Sequence, residues 1–457
     1  MPNWRSKLLA ILLEPKLRPW ALLTPVLVLM IALPLLRPIV APAGITDAER
    51  VLIQTVRSIV QGRGLRLDAE WSKTPGTVTL SGEVYAARPP TYAVLLAGPA
   101  FLLQRAGYEI DERDQPFVYL LTMFGVALPV ALGASVVYRM GRLFEITRPA
   151  RALLAATCVL AGGWISYATV LNPHAPAAAM VIGATACLLY VAASRRPMHV
   201  VWLLVPGGLL AALAGAVDPW CLPLVIPLPL VVLAMHLPAR DRFIAVTLLT
   251  LGATPAVWLH CAWSLIAFNS IFPATTGTVI AEMVGTNSSA SPIERVADLL
   301  SRLWTILLGR HGLFTHFPLL TAGVFGLFVV LRRHWPSHAK MLAAITFVGS
   351  LTIIMVVATR DDSLDGRMFA VQWFVVFAPL LMFWLGAVIR RPITLAGRWT
   401  LVLLGLLGTA ISIAGARQPL PTQPYDGFTA AGAIGRWTHA EMSDVSGLKL
   451  ASREHAR

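Results

Sequence analysis

The stretch Phe117-Val118-Tyr119-Leu120-Leu121-Thr122-Met123-Phe124-Gly125-Val126-Ala127-Leu128-Pro129-Val130-Ala131-Leu132-Gly133-Ala134-Ser135-Val136-Val137-Tyr138 contains no Asp, Glu, Lys or Arg. A soluble helix of this length needs a polar face, and this one has none. At about 1.5 Å rise per residue it matches a hydrocarbon core about 30 Å thick. Runs of the same kind recur at 20–36, 152–171, 175–194, 200–217, 219–237, 243–268, 313–331, 341–359, 368–389 and 399–416. The expected fold is an all-α polytopic membrane protein with about eleven transmembrane helices.

Composition agrees. The 457 residues are 56% hydrophobic and 13% charged, about half the charged share of a soluble domain, and mean hydropathy is +0.69. A net charge of +14 would suit nucleic acid, but the basic residues sit in short clusters between apolar runs, so no nucleic-acid partner is expected. Cys158, Cys187, Cys221 and Cys261 all lie inside the runs, which argues against a disulfide or a zinc site.

The basic clusters also set the orientation. With residues 1–19 in the cytoplasm, alternate connections carry 18 of the 37 basic residues and only three of the 23 acidic ones. The tail 417–457 then lies outside. Arg5, Lys7, Lys16 and Arg18, an apolar run and Ala41-Pro42-Ala43 mimic a secretory signal; ten further runs behind it favour a retained anchor.

Within the 20–416 membrane region, polar chemistry concentrates in two outside loops, 37–116 and 269–312. The first opens with an amphipathic helix at 47–62, then a strand-like alternation at Thr77-Val78-Thr79-Leu80, then an apolar run at 91–103 too short to span. That run and 293–308 are expected to lie in the membrane interface.

Candidate residues share this face. Asp47 and Glu49 follow the first span; a partly desolvated carboxylate there suits a general base, while helix capping is the plainer, compatible reading. Arg88 before Pro89-Pro90 suits a lipid phosphate, or simply anchors a helix entrance. Asn172-Pro173-His174-Ala175-Pro176 reads as a proline-rich turn with a polar tip. Arg310 and His311, between Gly309 and Gly312, offer cationic donors where a backbone can approach closely. Asp361, Asp362 and Asp365 form a solvated run with divalent-cation binding as the alternative, and Arg367 ends it. Asp218 reads as a helix cap, and His260 as a hydrogen-bonding partner between helices. No phosphate-binding loop, dinucleotide fingerprint or zinc-protease motif appears.

Taken in order, Asp47-Ala48-Glu49, Arg88-Pro89-Pro90-Thr91-Tyr92, Asn172-Pro173-His174-Ala175-Pro176, Gly309-Arg310-His311-Gly312-Leu313-Phe314 and the segment from Gln372-Trp373-Phe374 to Pro379-Leu380-Leu381 resemble the motif series of the GT-C polytopic glycosyltransferases. This superfamily includes the protein O-mannosyltransferases and lipid A aminoarabinose transferases, and the chain looks most like its bacterial RgtA-like branch. The resemblance spans about residues 20–390. It implies an inner-membrane enzyme that takes a sugar from a polyprenyl-phosphate donor and gives it, with inversion, to a glycan, lipid or protein hydroxyl. Asp47 or Glu49 would be the base, with Asp47 favoured. Arg88, Arg310, His311 and Arg367 would hold the donor phosphate, and Tyr92, His174 and Gln372 would line the cavity. No cofactor is required, a divalent cation is compatible, and the metal is unspecified. Two departures stand out: Ala48 splits an acidic pair that is usually contiguous, and Gln372 stands where arginine is common. A transporter or flippase of lipid-linked glycans is disfavoured by nearly charge-free spans without repeats. A non-catalytic scaffold is the reading those two departures favour.

Overall fold

A computed structural model describes residues 27–28, 45–194, 197–270, 292–359, 368–390, 392–417 and 427–435. Of the span expected at 20–36 only Leu27 and Val28 are among them, and residues 360–367, with the carboxylate run and Arg367, lie outside.

Among the described residues, the 37–116 segment opens with α1 (Asp47–Val60). Strands β1 (Arg66–Leu67), β2 (Thr77–Leu80) and β3 (Glu83–Ala86) follow, forming an antiparallel sheet in the order β1-β3-β2. The alternation at 77–80 is thus a strand, and its partner is the next segment: Val78 pairs with Tyr85 and Leu80 with Glu83. Ser81 and Gly82 between them both have positive φ, as a tight two-residue hairpin requires. Val51, Leu67 and Val84 bury together and seat the sheet on α1.

Helices α2 (Thr91–Arg105) and α3 (Gln115–Phe144) come next. Asp114 caps α3, accepting from the Phe117 amide at 3.1 Å, with Pro116 in the first turn where its missing N–H costs nothing. Residues Met123–Ala127 form one π-helical turn inside α3. The chain continues through α4 (Arg148–Leu160), α5 (His174–Ala193), α6 (Pro197–Val217), α7 (Pro219–Leu233) and α8 (Ala239–Phe268). The last part holds α9 (Pro292–Leu307), α10 (Leu313–His316), α11 (Leu320–Arg332), α12 (Ser337–Ala358), α13 (Ala378–Ile389) and α14 (Leu395–Arg417).

Among the described residues six helices are long and apolar enough to cross a bilayer, α3, α5, α6, α8, α12 and α14, while α7, α11 and α13 are shorter apolar helices. Outward-facing side chains are large and apolar, for example Phe243, Leu251, Trp258 and Ile266 on α8 and Leu403 and Leu406 on α14. Such a surface suits lipid, not water. The chain is a membrane protein. Helices α6 and α8 meet through glycine: a Cβ on Gly208 would fall on the Leu249 carbonyl, and one on Gly252 on that of Val205. Small residues let helix backbones approach this closely.

Three expected spans are not continuous helices: 313–331 is split into α10 and α11 at residues 317–319, and two others are interrupted by longer irregular segments. Over 152–171 the helix ends at Leu160, where Gly163 takes φ +76 against the Phe317 ring, and residues 161–173 run irregularly through the interior. Over 368–389 residues 368–371 are irregular, with Ala370 at φ +51, a 3-10 turn covers Gln372–Val376, and only then does α13 begin. Both irregular segments are wholly buried. Irregular backbone at membrane depth is tolerated only where protein satisfies its polar groups. Here Ser166 donates to the Ser412 carbonyl at 2.9 Å and Thr169 to that of Ala416 at 2.6 Å, while Tyr167 donates to the Phe369 carbonyl, tying the two segments together.

The two runs expected at the interface are helical, as α2 and α9. On α9, Ile293, Val296, Leu300 and Trp304 are all exposed at helical spacing, an apolar stripe fitted to a membrane surface.

Candidate active site

The site is built where the first turn of α1 meets the buried irregular segments. Thr46 caps α1 and forms a reciprocal box with Glu49: the Glu49 amide donates to Thr46 Oγ1, and Thr46 N–H and O–H both donate to Glu49 Oε2 at 3.0 Å. The other carboxylate oxygen, Oε1, accepts from the Leu171 amide at 3.0 Å. Capping is therefore real and serves a second purpose, because it locks Glu49, 1% exposed, against the segment that carries Asn172 and His174. Asp47 is placed differently. Residues two apart on a helix point about 200° away from each other, so Asp47 faces outward, half exposed, with Arg50 3.7 Å away. The carboxylate favoured from sequence is not the one turned inward.

Arg88 precedes α2 on the other side of Glu49. Its side chain is accessible, yet protein surrounds it so closely that desolvation is the largest influence and draws its pKa down, while the negative charges of Asp218 and Glu49 pull it back up. Accessibility combined with desolvation means the guanidinium opens into a cleft, not bulk solvent. That cleft is small, about 30 Å³, and otherwise largely apolar, with Val51, Leu52, Tyr85, Pro89, Pro90 and Phe268 among its walls. Tyr92, the second residue of α2, is buried; burial first, and Glu49 second, push its phenol well above the ordinary value. Its hydroxyl donates to the Gly125 carbonyl in the π turn of α3 at 3.4 Å. Gly125 has no room for a side chain, since a Cβ would strike Leu96. The π turn and its glycine thus seat Tyr92. Thr91, fully buried, lies 3.2 Å from His260 Nδ1, so the histidine inside α8 does bridge to a neighbouring helix, and the helix it holds carries Arg88 at its entrance.

The third element is a pair that sequence reasoning undervalued. His174 Nδ1 lies 2.6 Å from Asp218 Oδ2, with both side chains almost completely buried, and Asp218 Oδ1 accepts from the Trp220 amide at 3.2 Å. Asp218 is thus a cap, as expected, and also the partner of a motif histidine. The signal was available: Asp218 is the only Asp, Glu, Lys or Arg between residues 197 and 237. Asn172 Oδ1 accepts from the Ala175 amide at 3.0 Å, which fixes the start of α5 and hence His174. Gln372, buried, opens the 3-10 turn whose Trp373 packs on Trp220 with ring centroids 5.4 Å apart.

Glu49, Arg88, Tyr92, His174 and Asp218 are therefore brought together, with Gln372 next to them through Trp373 and Trp220. Arg310 and His311 belong to a second cluster around the 309–316 loop, joined to the first by the Tyr167–Phe369 hydrogen bond. Arg310 is exposed and His311 buried. Among the described residues no group of three or more His, Cys, Asp or Glu is placed to hold a metal ion.

No family model matches the chain, and no curated protein resembles it in sequence. Solved structures do match in shape. The oligosaccharyltransferase of Archaeoglobus fulgidus in its apo form superposes with TM-score 0.53 at 12% identity, over 89% of this chain and 57% of that one. The same organism's oligosaccharyltransferase AglB, with an inhibitory peptide and a dolichol-phosphate, gives 0.51 at 13% identity over 89% and 57%. ArnT from Cupriavidus metallidurans, bound to undecaprenyl phosphate, gives 0.49 at 14% identity over 88% and 70%. The chain spans little more than half the length of the archaeal proteins. It shares the membrane fold of the two archaeal oligosaccharyltransferase structures.

Proposed function

We propose that the protein transfers a glycosyl group from a polyprenyl-phosphate donor to an acceptor hydroxyl at the non-cytoplasmic face of a bacterial inner membrane. The observation that carries this reading is Arg88: a guanidinium within electrostatic reach of the buried carboxylates Glu49 and Asp218 that lines a small apolar cleft at the start of α2. A lipid phosphate has the matching chemistry, an anionic head on an apolar chain. The fold adds support, because AglB of the same fold was solved with a dolichol-phosphate.

In this reading the phosphate rests on Arg88, with Arg310, His311 and Arg367 completing its electrostatic surroundings. Glu49 takes the proton of the acceptor hydroxyl as the acceptor oxygen bonds to the anomeric carbon. The bond from that carbon to the phosphate oxygen breaks on the opposite face, and its electron pair leaves with the polyprenyl phosphate. Arg88 stabilises the charge that develops there. The route passes through an oxocarbenium-like state and inverts the anomeric configuration. Asp218 and His174 keep the far side of Arg88 charged and fixed.

The test is direct. Purified protein is incubated with radiolabelled polyprenyl-phosphate sugars, and release of the carrier phosphate and the fate of the label are followed. Consumption of one donor, abolished in Arg88→Ala, is expected. If every donor survives, or Arg88→Ala transfers sugar undiminished, the reading is wrong.

A further inference from the structure

A short segment of the polar tail enters the protein. Residues 429–435 are helical, Ala433 is buried in the main core, and Thr429 is completely buried. Its surroundings come from two places distant in sequence. The Thr429 amide donates to the Arg310 carbonyl at 3.2 Å. The Thr429 hydroxyl lies 2.6 Å from His316 Nε2 and accepts from the Ala370 amide at 3.3 Å. His316, also fully buried, places Nδ1 2.8 Å from the Gly312 carbonyl. A carbonyl only accepts, so Nδ1 carries the proton and Nε2 is an acceptor; the Thr429 hydroxyl has two acceptors within reach, His316 Nε2 at 2.6 Å and the Arg310 carbonyl at 3.2 Å. The His316 ring is further fixed edge-on to Phe369 at 5.3 Å between centroids.

One threonine therefore joins three segments. It holds the backbone of Arg310, it holds through His316 the carbonyl of Gly312, and it supports the irregular backbone at Ala370, whose left-handed φ is costly for a residue other than glycine. The peptide units of Arg310-His311-Gly312 are pinned at both ends. Two glycines flank Arg310 and His311, which leaves this backbone freer than most; Thr315 Oγ1 ties the Gly309 and Gly312 carbonyls locally, and Thr429 adds the long-range tie at Arg310.

We propose that Thr429 is a positioning residue, and that the 427–435 segment is a strap fixing the 309–312 loop so that Arg310 and His311 meet an anionic phosphate in a set geometry. This rests on the donor-phosphate reading given above for those two residues.

The experiment compares Thr429→Val, which keeps the shape and removes the hydroxyl, with Thr429→Ser, which restores it, in the full chain. Two readouts are taken: hydrogen exchange of the 309–316 amides in protein without donor, and KM and kcat for the polyprenyl-phosphate sugar that the wild type consumes. Removing a buried hydroxyl bond raises exchange in 309–316 by about tenfold, and KM rises by a similar factor with kcat little changed. Thr429→Ser restores both. Unchanged exchange in Thr429→Val overturns the strap. Raised exchange with unchanged KM overturns its positioning role. If the wild type consumes no donor, the glycosyl-transfer reading falls, and exchange still decides the strap.

Discussion

His174 Nδ1 and Asp218 Oδ2 lie 2.6 Å apart with almost no access to water, and the acid of this pair is also within electrostatic reach of Arg88. The start of α5, the junction of α6 with α7 and the entrance of α2 are thereby connected through one carboxylate. Truncating one member of a buried pair strands the other, at a cost of about 3 kcal/mol. Asp218→Ala should therefore lower the melting temperature in detergent and reduce sugar transfer together. Asp218→Asn keeps a hydrogen-bonding group of the same shape and should recover much of the stability while transfer stays impaired. Equal activity in Asp218→Asn and wild type would mean that the charge has no part in catalysis.

The inward and outward carboxylates of α1 make opposite predictions. Glu49→Gln should reduce transfer by at least about a hundredfold, the usual contribution of a general base, whereas Asp47→Asn should stay within about twofold. Because Glu49 also belongs to the capping box, Thr46→Ala is the control. It should cost about 1 kcal/mol of stability and leave most of the activity. Initial rates and thermal melts on the three variants decide it.

Arg88 sits where desolvation acts against its charge. An arginine stays protonated regardless, so the wild type should keep its phosphate contact across alkaline pH. Lysine starts from about 10.4, and the same desolvation lowers it further. The charged form is then lost as pH rises through that lowered value. Arg88→Lys should transfer sugar at neutral pH and lose activity well before the wild type as pH increases. Parallel pH profiles for the two proteins would count against the desolvated setting.

The α6–α8 contact has no room for a side chain at Gly208 or Gly252. In each case the obstacle is a backbone carbonyl on the facing helix, which cannot rotate away. Overpacking of this kind costs about 1–3 kcal/mol even for small additions. Gly208→Val and Gly252→Val should yield little monodisperse protein by size-exclusion chromatography. Gly98→Ala in α2, where a Cβ meets nothing, should behave like the wild type.

What the sequence determined by itself was set by length and by charge. Most apolar runs long enough for a bilayer became long helices, the short runs at 91–103 and 293–308 became helices too, and Arg88 stands at a helix entrance. Each of these follows from local composition and the cost of putting charge into lipid. The two longer breaks escaped because an irregular segment buried in protein is as apolar as a helix facing lipid; residues 161–173 and 368–377 differ from true spans only in what satisfies their backbone. The choice of Glu49 over Asp47, the His174–Asp218 pair and the reach of Thr429 to Arg310 were decided by tertiary structure alone. Helix phase turned one carboxylate inward, and the other two contacts join residues far apart in sequence whose meeting depends on how the whole bundle packs.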